Sequence, residues 1–271
     1  MTSPNEISET VKAVGALAKE VPIYQDAVQP AAKEVGKALQ TAAKTINVAL
    51  APLSALIWGF DQIKEFTESA VARRLHKLPS EQIVTPNPTI AGPALEALRF
   101  AGHDSTLREM YANLLATAMD AKTAQQAHPA FVEILKQMTS DEAKIVQLFV
   151  SNDSSPLVSI HSVEIPDGNF RIRIKNFSLV GNEAKCVAPE RTPEYLDNLH
   201  RLRIIAIYED DRALADNQLY QPLLDHQEVK DVLSQIASEQ GKRSEIHKNL
   251  FEVTQLGREF IEACVMEHLH E

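Results

Sequence analysis

The spacing of apolar residues along this chain changes near residue 150, from a helical period to the alternation of a β-strand. From Pro86 to Leu148 the apolar residues recur at intervals of three and four, which is typical of packed amphipathic helices. From Phe170 to Lys175 apolar and basic residues alternate, which predicts a strand. The preceding Asp167-Gly168-Asn169 predicts the turn of a hairpin. The pattern therefore predicts a mainly α protein with a small β component.

Changes in composition divide the chain into three regions. Residues 1–80 are rich in alanine and predict an amphipathic or apolar helical region. The prolines between Pro79 and Pro88 mark a boundary, because residues that precede proline avoid the helical conformation. Residues 81–150 then predict a central helical core, and residues 151–271 predict a winged-helix-like α+β domain.

The winged-helix prediction depends on the order of elements near the C-terminus. A helix that ends near Leu202 is followed by strand-like segments at Ile204–Tyr208 and Phe251–Val253, and then by a helix start at Thr254. Arg203 departs from the pattern, since a glycine often stands where such a helix turns into the strand. The insertion between the two strands is also longer than an ordinary wing.

Several polar residues and prolines of the central region are interpreted as helix junctions. Ala91-Gly92-Pro93, His103-Asp104 and His128-Pro129 are expected where one helix ends and another begins. Asp104 or Ser105 can cap a helix, and Thr139 to Glu142 is a strong helix start because acidic residues favour the positive end of the helix dipole. These residues are therefore expected to be structural rather than catalytic.

The chain carries an uncharged run from Thr45 to Phe60, between Lys44 and Asp61. A transmembrane helix needs roughly 20 apolar residues, and this run is shorter and contains Pro52. It is either a buried core helix or a segment that inserts into a membrane conditionally or lies in its interface. In the second case the cations from Arg73 to Lys77 would contact anionic headgroups, although they also complement a helix dipole. The candidate membrane-contacting residues are Leu50, Leu53, Leu56, Ile57, Trp58, Phe60, Arg73, Arg74 and Lys77.

The charge of the chain disfavours a nucleic-acid partner. The formal net charge is −10, so phosphate is repelled unless a local basic patch attracts it. The strand from Phe170 to Lys175 supplies such a patch, but no aromatic residue shares its basic face and a solvated strand face explains it more simply. The nucleic-acid candidates are Arg171, Arg173, Lys175, Lys242 and Arg243.

The sequence contains no pattern of residues that carries a reaction. No glycine-rich phosphate loop, GxSxG motif or HExxH motif occurs, and most of the nine histidines lie far apart. We therefore expect no enzymatic activity, no cofactor and no metal site. Cys186 and Cys264 fit no CxxC spacing, so we expect two reduced thiols in a cytoplasmic protein, one of them buried on a C-terminal helix.

Four segments together resemble a known family. They read PTIAGPALEAL, LREMYANLLATAMD, AHPAFVEILKQMTSDEAKIV, and EYLDNLHRLRII followed by TQLGREFIEACV. In these segments the chain resembles the Abi-alpha family, the abortive-infection alpha proteins of bacteria. The resemblance implies phage defence through arrest or death of the infected cell, and it supplies no catalytic residue. The matching residues, which we interpret as structural, are Gly92, Pro93, Arg108, Glu109, Asn113, His128, Pro129 and Phe131.

Three functions of different classes stay open. The favoured one is a non-enzymatic abortive-infection protein that moves from the cytoplasm to lipid of the inner membrane and acts there through its N-terminal helices. The second is a sensor or adaptor that recognises a phage or host protein as its trigger and forms a homo-oligomer. The third is a nucleic-acid-binding winged-helix regulator.

Overall fold

The structure, a computed structural model, describes residues 59–208 and 212–266. Most of the predicted alanine-rich region lies outside these ranges. So do five candidate membrane-contacting residues: Leu50, Leu53, Leu56, Ile57 and Trp58. What the sequence predicts for these residues stays a prediction.

Helices account for most of the regular structure in the described ranges, and a small sheet follows the first five of them. The helices are α1 (Phe60–Leu75), α2 (Pro88–Ala101), α3 (Ser105–Met119), α4 (Pro129–Lys136), α5 (Ser140–Leu148), α6 (Val180–Glu183), α7 (Thr192–Arg201), α8 (Gln221–Asp225), α9 (Gln227–Ser238) and α10 (Gln255–Cys264). The strands are β1 (Ser154–Glu164), β2 (Phe170–Phe177), β3 (Ile205–Tyr208) and β4 (Lys242–Val253). The predicted class, mainly α with a small β component, is confirmed.

Three helices begin where the local sequence predicts. The side chain of Asp104 accepts hydrogen bonds from two amides in the first turn of α3. Thr139 and Glu142 form a reciprocal capping box at the start of α5. His128 accepts a hydrogen bond from an amide of α4, whose first residue is Pro129. These junction residues satisfy backbone amides that the helices themselves leave without a partner.

Gly92 and Pro93 lie inside α2, so the predicted helix junction at Ala91-Gly92-Pro93 is wrong. Pro93 removes the amide that would otherwise donate to the carbonyl of Thr89. Thr89 lies in the exposed first turn of α2, where water can bond to that carbonyl. The helix therefore continues through the proline at low cost.

The four strands form one antiparallel sheet in the order β2-β1-β4-β3. The segment Asp167-Gly168-Asn169 joins β1 to β2, and Gly168 has a positive φ of 73°. Glycine adopts this conformation without the steric cost that a side chain brings. The predicted hairpin is confirmed, and among the described residues β2 and β3 are the outer strands.

Two apolar clusters hold the elements together. The larger contains residues from α1 to α5, α7, β3 and α10, and in it the rings of Phe131 and Phe260 meet edge to face at 5.5 Å. The smaller packs Val158 and Ile160 of β1 against Val229 and Ile236 of α9. Residues on both sides of the predicted boundaries at 80 and 150 thus share the larger cluster.

The elements of the predicted winged helix occur in the predicted order α7, β3, β4 and α10. Arg203, between α7 and β3, has a positive φ of 62°. This is the left-handed conformation for which a glycine is best suited, in line with the expected turn from helix to strand. The insertion between β3 and β4 contains α8 and α9. Assignment to the winged-helix class stays a prediction.

Candidate functional site

A buried polar cluster joins α1, α3 and α10. The guanidinium of Arg74 donates to Asn113 Oδ1, to the carbonyl of Ala70 at 2.9 Å and to Glu109 Oε2 at 2.6 Å. The side-chain amide of Asn113 donates in turn to the carbonyl of Cys264 at 2.9 Å. A buried cation is tolerated only when it is paired and hydrogen-bonded in this way. The cluster therefore fixes three helices to one another.

Two adjacent arginines share Glu109 but differ in exposure. Arg73 lies 2.9 Å from Glu109 Oε2 with 66% of its side chain exposed, whereas 6% of the Arg74 side chain is exposed. This corrects the interpretation of Arg74 as a headgroup contact, because its guanidinium is buried against α3. Arg73 is exposed near the end of α1, Lys77 is exposed just after it, and Phe60 at its start is 80% exposed.

Arg108, another residue that carries the family resemblance, also makes contacts within the fold. The guanidinium of Arg108 lies 5.6 Å from the ring centre of Phe66 on α1, and it donates weakly to the carbonyl of Gly102 at 3.4 Å. The motif residues Arg108, Glu109 and Asn113 thus lie together on α3, where all three contact α1.

A second polar cluster is centred on the carboxylate of Asp141. It accepts hydrogen bonds from the amides of Val187 and Ala188 at 2.9 and 3.1 Å, from the hydroxyl of Tyr195 at 3.1 Å and from Lys144 at 2.9 Å. Burial raises the pKa of Asp141, but these four donors outweigh burial and lower the pKa to about 2. The carboxylate thus ties α5 to the start of α7, a role beyond the predicted helix start.

We expect Asp141 to stabilise the fold at neutral pH and to lose this effect in acid. Its folded pKa of about 2 lies below the ordinary pKa of 3.8, so the folded chain binds this proton more weakly than the unfolded chain. The stabilisation is therefore complete above roughly pH 4 and disappears as the pH falls through about 2. The shift corresponds to about 2 kcal/mol.

Urea unfolding of Asp141→Asn at two pH values measures this contribution. We expect a loss of about 2 kcal/mol at pH 7 and of about half that at pH 3. Asp197→Asn, which changes an exposed aspartate of α7, should have no effect. An equal loss for Asp141→Asn at both pH values would contradict the pKa-based explanation.

Local acids bind three of the nucleic-acid candidates. Arg173 and Lys242 each lie 2.7 Å from Glu239, and the hydrogen bonds from Lys242 and Arg173 lower the pKa of Glu239 to about 2. Arg243 lies 2.5 Å from Glu245. These ion pairs reduce the positive charge that a phosphate would meet. Arg171 and Lys175 are exposed on β2.

One face of the sheet exposes apolar and aromatic side chains near the hairpin. Phe170 is 63% exposed and Ile172 is 47% exposed. Ile172 lies opposite His161 in the ladder, and the His161 ring stacks on the ring of Phe170 at 5.0 Å with an angle of 9°. The centre of the His247 ring on β4 lies 4.2 Å from that of His161. We call Phe170, Ile172, His161 and His247 the open face.

Sequence reasoning missed the open face. The alternation from Phe170 to Lys175 predicts a basic face, and it also places Phe170 and Ile172 together on the opposite face. Nothing local shows that these two residues stay exposed after the sheet has packed. His161 and His247 meet only through the pairing of β1 with β4, which no local pattern reports.

The two cysteines are free thiols, as predicted, and Cys264 is buried on α10. Burial raises the pKa of the Cys264 thiol, and it also raises the pKa of Cys186 to about 11. Among residues 59–208 and 212–266, no group of three or more histidine, cysteine, aspartate or glutamate side chains is placed to hold a metal ion. Within the same ranges, every helix is too short or too polar to cross a membrane.

Comparison with known proteins gives one family match. A family model described as abortive infection alpha matches residues 59–264, which is more than half of the chain. No curated protein matches significantly. The structure of an uncharacterized protein from the hydrocarbon-degrading marine bacterium Alcanivorax borkumensis SK2 is similar with 13% identity and a TM-score of 0.37, over 55% of this chain and 99% of that chain. At that TM-score the structural similarity carries no argument, so the family match is the finding that bears on function.

Proposed function

Because this chain belongs to the abortive infection alpha family, we propose that it defends bacteria against phage by arresting or killing the infected cell. The family match extends from α1 to α10, so the proposal concerns the whole described fold. We further propose that the chain acts without catalysing a reaction. The hydrogen bonds of Arg74, Glu109, Asn113 and Asp141 support this part, since these buried polar groups bind the fold itself.

The open face carries the proposal that the described residues recognise another protein. Phe170 and Ile172 are exposed on the sheet, and the rings of His161 and His247 lie beside them. Aromatic and apolar side chains of this kind are typical of the centres of protein interfaces. The ligand in this proposal is a phage or host protein that signals infection.

The uncharged run from Thr45 to Phe60 is the basis for a second proposed step, which follows recognition of the trigger protein. We propose that the chain waits in the cytoplasm and that this run acts on the inner membrane after recognition. The absence of charge in the run supports this step, as does the exposure of Phe60 at its end. Anionic headgroups would attract the charge of Arg73, exposed near the end of α1, and of Lys77, exposed just after it.

Phage infection of bacteria that produce the chain tests the defence role. We expect fewer plaques than on cells without the chain. We also expect cultures to survive when phage are scarce and to collapse when phage are abundant, because each infected cell is lost together with its phage. Equal plaque numbers with and without the chain would reject the defence role.

Dye release from anionic liposomes tests the membrane step separately. In a large excess of lipid, which shifts even a rarely exposed run onto the membrane without the trigger, we expect the wild-type chain to release dye. Leu56→Asp or Ile57→Asp should abolish both release and toxicity in a chain that still folds, because a charge opposes insertion. Leu56→Ile keeps the run uncharged and should act like the wild type. No release, combined with full toxicity of the charged variants, would reject the membrane step and leave the recognition step in place.

A further inference from the structure

We propose that the free edge of β2 binds an extended acidic segment of a partner protein as an additional strand. This inference rests on the proposed role in recognition. Within the described residues β2 pairs only with β1, since the strand order is β2-β1-β4-β3. An outer strand presents backbone N–H and C=O groups with which a second chain can continue the sheet.

Hydrogen bonds at the hairpin show which backbone groups of β2 point outward. The amide of Glu164 donates to the carbonyl of Asn169 at 2.8 Å, which makes these residues a hydrogen-bonded pair. Such pairs alternate along an antiparallel ladder, so Arg171 belongs to the next one. The N–H and C=O groups of Phe170 and Ile172 therefore point away from β1. They form the hydrogen-bonding positions that an incoming strand would use.

The side chains leave this edge accessible. Phe170, Arg171 and Ile172 are three consecutive exposed residues. A strand added beside β2 would place alternate side chains next to Phe170 and Ile172 and extend the open face. Pairs of aromatic and β-branched residues on neighbouring strands stabilise a sheet, so apolar residues are favoured at those positions of the partner.

The positive charge of β2 favours acidic residues at the remaining positions of the partner. The sequence of β2, FRIRIKNF, contains three basic residues and no acidic residue, although the chain as a whole carries −10. Aspartate or glutamate beside Arg171 would form a favourable pair across the strands. A second copy of β2 would bring cations opposite cations, which disfavours a dimer through this edge. The geometry thus fits a segment in which apolar and acidic residues alternate.

Binding of a labelled VEVDVE peptide to the full chain, followed by fluorescence anisotropy, tests the inference. We expect saturable binding, and protection of the amides of Phe170 and Ile172 from hydrogen exchange when the peptide is bound. Arg171→Glu should weaken binding about tenfold, since a favourable charge pair becomes a repulsive one. A VKVKVK peptide should prefer that variant over the wild type.

Ile172→Pro isolates the contribution of the backbone. The amide of Ile172 points away from β1, so proline removes a hydrogen bond to the peptide and none from the β1–β2 ladder. We expect wild-type circular dichroism and about tenfold weaker binding. Ile172→Thr keeps both the amide and a β-branched side chain, so it should bind more tightly than Ile172→Pro. If Ile172→Pro fails to fold, a VEVDVE peptide methylated on its backbone nitrogens makes the same test on the wild-type chain.

Other outcomes distinguish the ways in which the inference, or the proposed function, would be wrong. Absence of VEVDVE binding, or equal binding by Ile172→Pro, rejects strand addition. Binding of anionic vesicles or RNA that Arg171→Glu abolishes and Ile172→Pro preserves shows that β2 attracts charge alone. A dimer that Ile172→Pro abolishes identifies a second copy as the occupant. Protection from phage without peptide binding rejects this inference alone, whereas peptide binding without protection rejects the proposed function and keeps the inference.

Discussion

Replacing Gly257 with alanine should destabilise the fold by about 4 kcal/mol. Gly257 lies in the first turn of α10, where an added Cβ would stand 2.1 Å from the carbonyl oxygen of Ile204. That carbonyl also accepts the hydrogen bond of the Thr254 amide at 3.0 Å. The clash is therefore between the Cβ, whose position the backbone fixes, and a backbone oxygen, and no change of rotamer relieves it. Either α10 or the segment before β3 has to move.

Gly92→Ala is the matched control for this substitution. Gly92 lies inside α2, and a Cβ there would meet no atom within 4 Å. Alanine loses less conformational entropy than glycine in a helix, so we expect a gain of about 0.5–1 kcal/mol. Urea unfolding of the two variants gives both numbers. A loss below about 1 kcal/mol for Gly257→Ala would show that α10 does not approach Ile204 this closely.

Replacing Arg74 with alanine should cost about 3 kcal/mol, whereas replacing Arg73 should cost less than about 0.5 kcal/mol. Both arginines bind the same oxygen of Glu109. Arg74 is buried and also binds Asn113, so its loss leaves a cavity and a buried acceptor without its donor. Arg73 is largely exposed, and water replaces its ion pair at little cost.

Thermal or urea unfolding of the two single variants and of the double variant with Glu109→Gln measures this difference. We expect strong coupling between Arg74 and Glu109 and weak coupling between Arg73 and Glu109. Equal losses for Arg73→Ala and Arg74→Ala would contradict the buried cluster. Each variant is the control for the other, because the two residues are adjacent, carry the same charge and share one partner.

Local patterns predicted the parts of the fold that depend on local interactions. Asp104, His128 and Thr139 cap the helices that follow them, and each cap involves residues within three positions in sequence. The hairpin at Gly168 is local in the same sense. Pro93 shows the limit of such rules, since the effect of a proline depends on whether the carbonyl it leaves unbonded is exposed to water.

The polar clusters could not be predicted because their partners are distant in sequence. Arg73 and Arg74 look alike as cations in the last turn of a helix, and only the packing of α1 on α3 decides which of them is buried. One signal was available, since Ile63, Ala70 and Arg74 lie on one helical stripe. Asp141 is similar: its sequence context indicates a helix start, and its other bonds depend on where the segment before α7 lies.

The open face and the outer edge of β2 could not be predicted for a different reason. The alternation from Phe170 to Lys175 predicts a strand with two different faces, but it does not report which strand of a sheet is an outer one. The order β2-β1-β4-β3 supplies that information. The sequence alone makes this strand a candidate for binding nucleic acid. In our proposal it binds an acidic protein segment instead.

Plaque formation on cells that produce Ile172→Pro at the wild-type level tests whether defence works by recognition at the edge of β2. We expect the folded variant to lose protection, because the strand-pairing amide is gone, and we expect Ile172→Thr, which keeps that amide, to protect better than Ile172→Pro. Full protection by Ile172→Pro would contradict recognition through this edge.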